Sequence, residues 1–170
     1  MSISFFDAKC QTFSSRKIFG LCDDPPEKDK NPRPAYIDEY HGAKWIAVVE
    51  NGDKYDVTFT AIDNCIEIRR ADGKAAKRCD GVLTYGSTII FVELKQSVPL
   101  GNGWVIDGEK QLRITIGYFE LGDEAENYKR KEAYIANNEH PKLKESQMRR
   151  MEQFFDDTGY ILRVVNRIKL

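Results

Sequence analysis

The chain has 170 residues, 41% of them hydrophobic and 31% charged, and its 26 basic and 27 acidic side chains leave a formal net charge of −1. That length suffices for one domain with a full core, and the near-neutral balance excludes a protein held on nucleic acid by overall charge alone. No run approaches the roughly 18 apolar residues of a membrane span, so no membrane association is expected.

In chain order, the N-terminus MSISFFDAKCQTF lacks a basic leader followed by a long apolar run, so no signal peptide is expected. CDDPPEKDKNPRP is charged, proline-rich and poor in apolar residues, which favours a loop. Residues 1–35 therefore read as a peripheral segment that wraps the surface or is partly disordered. WIAVV, ENGDK and YDVTF read as a hairpin, because Asn-Gly suits a tight turn. TAIDNCI reads as a turn or one helical turn leading into a strand. CIEIRR, AAKRCDGVLT and STIIFVELK then read as three antiparallel strands joined by tight turns at Asp72-Gly73 and Tyr85-Gly86. DGEKQLRITIGYFE is helical, with Leu112, Ile116 and Phe119 on one face. RKEAYIANN is a strand. ESQMRRMEQFFDDTG is a helix with Met148, Met151, Phe154 and Phe155 on its apolar side, stopped near Gly159. YILRVVNRIKL closes the chain as one strand. A meander followed by helix, strand, helix, strand gives an α/β fold with a mixed sheet.

Four cysteines, Cys10, Cys22, Cys65 and Cys79, form no CxxC pair, and the only histidines are His41 and His140, read as surface residues. A structural zinc site is disfavoured. Reduced thiols in a cytoplasmic protein are the expectation.

Hairpin register decides which side chains share a face. With Tyr85 and Gly86 as the turn, Val82 faces Ile89, Asp80 faces Phe91 and Arg78 faces Glu93. Asp80, Glu93 and Lys95 then share one side, with Asp80 and Glu93 diagonal at about 7–8 Å. With Asp72 and Gly73 as the other turn, Glu67 faces Arg78 and joins them. The other face, including Ile66, Ile68, Leu83, Ile90 and Val92, is apolar. A three-residue loop at either turn would invert the parity.

Neighbouring carboxylates repel one another, and a divalent cation removes that repulsion. Magnesium accepts one or two carboxylates and a carbonyl while keeping several waters, so Asp80, Glu93, Glu67 and the Leu94 carbonyl form a candidate metal set for Mg2+ or Mn2+. Lys95 suits water orientation or charge stabilisation. Gly81 leaves room for close backbone approach.

Asp80, then twelve residues, then Glu93-Leu94-Lys95 resembles the PD-(D/E)XK nuclease superfamily, the restriction-endonuclease-like fold. The resemblance covers roughly residues 62–137. It implies a magnesium-dependent phosphodiesterase acting on nucleic acid, with DNA the favoured substrate, on a single nuclease-like domain over residues 36–170. It also implies a Gln on the helix after the triplet, which Gln111 matches, and an acid before the first core strand, for which Glu67 is the candidate and Asp63 the substitute. A homodimer is open, since nucleases that cut both strands often pair. The alternatives are a non-catalytic relative serving as a nucleic-acid- or protein-binding module, an interaction protein of immunity type, or a plain salt-bridge ladder on a solvated sheet face.

Overall fold

The computed structural model describes residues 3–96, 101, 103–139 and 145–170. Its strands are β1 (Gln11–Ser14), β2 (Ile18–Cys22), β3 (Tyr36–Asp38), β4 (Ala47–Glu50), β5 (Val57–Ala61), β6 (Gly81–Tyr85), β7 (Thr88–Lys95), β8 (Arg130–Asn137), β9 (Ile161–Arg163) and β10 (Arg167–Lys169). The α-helices among the described residues are α1 (Gly103–Glu120) and α2 (Glu145–Thr158). The fold is α/β with two mixed sheets, ordered β1-β5-β6-β7-β8-β9 and β10-β4-β2-β3.

The last two strands of the expected meander are present as β6 and β7, with β5 in place of the first, all antiparallel, and β7-α1-β8-α2-β9 continues it with parallel pairing. β7 lies in the middle of its sheet and is buried from Thr88 to Leu94, which explains its run of β-branched and aromatic residues. α1 lays Val105, Gly108, Leu112, Thr115, Ile116 and Phe119 on the sheet. Gly108 permits the closest approach: a Cβ there would stand 3.2 Å from Ile135 and 3.4 Å from Glu93. α2 stops where Gly159 takes φ +79° and returns its N–H to the Phe155 carbonyl at 2.8 Å.

Several sequence expectations need correction. The N-terminal residues are not peripheral: β1 pairs with β5, β2 lies inside the second sheet, and Phe19, Leu21 and Cys22 are fully buried. The proposed hairpin after Trp45 does not form, because β4 and β5 belong to different sheets. Asn51 makes a corner there instead, bonding both the N–H and the carbonyl of Tyr55. The first strand of the meander is β5, while residues 62–80 form an excursion whose only ladder contact among the described residues is the bridge Arg69↔Ala75. The last strand is split into β9 and β10, one in each sheet. Met148 and Phe155 on α2 are exposed, and Phe154 alone of that stripe is fully buried. Cys10 and Cys65 form a disulfide across 55 residues, so only Cys22 and Cys79 remain as thiols.

Candidate functional site

The β6–β7 turn is Gly86-Ser87, closed by Tyr85↔Thr88, with positive φ at Gly86 as a type II′ turn demands. Val82 consequently faces Phe91, two residues beyond the register expected from a Tyr85-Gly86 turn. A shift of two preserves parity. It carries Asp80, one step beyond Gly81↔Val92, level with Glu93 instead of diagonal to it.

Asp80 lies just outside β6, where β7 has run out of antiparallel partner, so the free Leu94 N–H donates to Asp80 Oδ2 at 2.6 Å. Leu94, expected to offer a carbonyl, thus meets the site through its amide. Gly81 is required by the other face: a Cβ would collide with the Phe59 ring at 2.2 Å and the Thr60 carbonyl at 2.9 Å. Behind Asp80, the Cys79 N–H donates to Thr115 Oγ1 at 2.8 Å, and that hydroxyl donates to the Gln111 carbonyl at 2.9 Å. α1 therefore holds the strand that carries Asp80.

Glu93 is 3% exposed, and its Oε2 has no hydrogen-bond partner among the described residues. Burial, then the Asp80 carboxylate close enough to share a hydrogen bond, pushes its pKa well above the usual carboxylate range. The charged face is thus not a solvated sheet surface: α1 covers it, and only its end, at the carboxyl terminus of β7, is polar. Lys95 reaches Gln111 Oε1 at 3.3 Å and Asp107 Oδ2 at 3.4 Å. Gln111 is therefore brought to the site as expected.

Glu67 is not. The turn after Arg70 is a three-residue loop of Ala71, Asp72 and Gly73, closed by Arg70 N–H to the Lys74 carbonyl, with Gly73 at φ +81°. The odd loop inverts parity, and Glu67 points to solvent, paired with Arg69. Its place is taken by Asp63, which the pairing of Ile62 and Asp63 with Asp80 and Cys79 sets beside Asp80. Burial raises the Asp63 pKa, Arg78 at 3.3 Å opposes that, and Asp80 adds to it. Arg78 is anchored on the Ile66 carbonyl at 2.7 Å.

Sequence reasoning missed Asp23 and Asp107. Asp23 follows β2 and takes a hydrogen bond from Gln96 on its carbonyl. Burial, then Asp80, Asp63 and Asp24, pushes its carboxyl up to about 7. The available signal was the apolar run IFGLC directly before the Asp23-Asp24 doublet. Asp107 lies four residues before Gln111, on the same side of α1, a spacing that the helix assignment already contained. His41 is exposed and bonded to Asp38, and His140 lies outside the described residues. Lys131 sits near the opposite end of the sheet, paired with Glu120 at 2.6 Å.

Asp23, Asp63 and Glu93 each feel the charge of Asp80, with Lys95 acting on Glu93 and Arg78 paired with Asp63. Among the described residues no group of three or more His, Cys, Asp or Glu side chains is placed to hold a metal ion. The unpartnered Glu93 oxygen beside Asp80 nonetheless fits a hard cation, and two carboxylates with waters satisfy magnesium. No protein-family model, curated protein or solved structure matches this chain.

Proposed function

We propose that this chain is a metal-dependent phosphodiesterase acting on nucleic acid, with DNA the favoured substrate, built on a restriction-endonuclease-like core. The observation that carries the reading is the buried Glu93 carboxylate, with one oxygen unpartnered, level with Asp80 and two residues before Lys95. Asp80 and Glu93 would hold Mg2+ or Mn2+, with Asp63 and Asp23 nearby in the role first assigned to Glu67. Such an ion, when bound, acidifies water and shields phosphate charge. Lys95 orients the attacking water or a phosphate oxygen. Gln111 and Asp107 hold its ammonium in place, and Thr115 fixes the strand bearing Asp80. α1 packed over Glu93 keeps bulk water from that carboxylate.

Cleavage of assorted DNA and RNA with magnesium or manganese tests the reading. Asp80→Ala should abolish turnover, and Lys95→Ala should lower it about a hundredfold or more. Cleavage that survives both changes overturns the site. A second reading, a non-catalytic binding module, is favoured by the lack of a ready-made three-ligand cage among the described residues. Manganese titration separates the two: no uptake below millimolar concentration selects the module.

A further inference from the structure

On the flank of α1 away from Glu93, Lys110, Arg113, Ile114, Gly117, Tyr118 and Leu121 follow the spacing of one helical stripe. Together with the turn from Arg70 to Lys77, this stripe walls a groove of about 460 Å³. Among the described residues four cationic side chains line it and no carboxylate does. In a chain whose net charge is −1, that is a local concentration of positive charge. The two arginines are partly satisfied, Arg70 by Asp72 and Arg113 by Asp157 at 2.9 Å. The lysines are not: Lys110 pairs with no described residue, and Lys77 meets Asp107 only at 3.9 Å. Asp107 is also the carboxylate 3.4 Å from Lys95, so one acid neighbours both Lys77 of the groove and Lys95 at the candidate catalytic end of β7. Its apolar wall is accessible, with Leu121 83% exposed and Tyr118 half-buried beside it.

We propose that this groove seats a single strand of nucleic acid next to the phosphodiester to be cut. Phosphates lie against Lys77 and Lys110, and bases lie against Ile114, Tyr118 and Leu121. The inference rests on the phosphodiesterase reading for its substrate class. Charge complementarity selects a polyanion. The exposed apolar wall selects unpaired bases, because a duplex keeps its base faces stacked inside. A groove of this size takes about one nucleotide at a time and not a double helix.

The test uses the full chain in EDTA, with fluorescence anisotropy on labelled oligonucleotides of about 12 nucleotides. Single-stranded DNA, single-stranded RNA and duplex DNA are compared, the first two arms deciding which sugar is preferred. The expected result is tighter binding of a single strand than of duplex. Lys77→Ala with Lys110→Ala should weaken it about tenfold and lower the slope of log affinity against log salt by about 1.4, the value for two lost contacts to a single strand. Lys77→Arg with Lys110→Arg should bind as the unaltered chain does, separating charge from folding. No oligonucleotide binding, unaltered binding by the alanine pair, or a preference for duplex each overturns the groove. Binding without metal-dependent cleavage leaves the groove standing and removes the catalytic reading. Cleavage with unaltered binding by the alanine pair removes the groove alone.

Discussion

Two glutamates sit in adjacent parallel strands, each almost without solvent, and the chain treats them in opposite ways. Glu132 on β8 is 2% exposed, and Glu93 on β7 is 3% exposed. Two guanidinium groups meet Glu132, Arg130 at 3.1 Å and Arg163 at 3.4 Å. Its Oε2 has no well-aligned hydrogen bond but lies against Arg130. Glu93 is met by another carboxylate, Asp80, and one of its oxygens has no hydrogen-bond partner among the described residues. Burying a charge beside its opposite is ordinary structural chemistry. Burying one beside its like is a standing cost, and a fold keeps such a feature where something else supplies the missing positive charge.

The contrast can be broken from either side. Arg130→Met with Arg163→Met strands Glu132, and urea melts should show a loss of about 3 kcal/mol, reduced from the fully buried case because both arginines are half exposed. A loss below about 1 kcal/mol would make Glu132 as self-sufficient as Glu93 and erase the comparison. The opposite sign is expected at Glu93. Glu93→Gln removes the cost of holding an acid, protonated or charged, beside Asp80 and offers Asp80 an amide donor, so the EDTA-treated protein should gain about 1–2 kcal/mol at pH 8. Manganese should raise the melting temperature of the unaltered chain but not of Glu93→Gln, while Glu132→Gln keeps the response.

The part of this contrast that the sequence carried is the part governed by parity. Alternation along Ile89–Lys95 and the position of Asp80 placed both acids on one face. The two-residue slip at Gly86-Ser87 could not disturb that, because side chains repeat every second residue. Glu67 was lost to the same rule, since the loop at Ala71–Gly73 has an odd number of residues. Pairings between distant strands were not legible at all. Asp23 reaches the site because β2 pairs with β4 and β3, and no local pattern encodes that association. The disulfide from Cys10 to Cys65 is equally invisible without the fold. YILRVVNRIKL looked continuous because Leu162, Val164 and Ile168 keep even spacing across the break between β9 and β10, and all three are buried as a single strand would require.

The finest test of the comparison is the pH profile. Burial and neighbouring carboxylates raise the folded-state pKa of Glu93, Asp63 and Asp23, the last from 3.8 to about 7. The folded chain therefore keeps protons that the unfolded chain releases. Stability from these groups is complete below about pH 4 and is lost as pH rises through the folded values. In EDTA the melting temperature should fall between about pH 5 and 8, where a solvated salt-bridge ladder would leave it level. Asp23→Asn should flatten the segment of that fall below about pH 7. After allowance for its partial exposure the change is about 1 kcal/mol, or about 2–4 °C in a chain of this size. Asp24→Asn, one residue further from the cluster, should flatten it less. A profile that Asp23→Asn leaves unchanged would detach the N-terminal strand from the site and return the carboxylate cluster to Asp63, Asp80 and Glu93 alone.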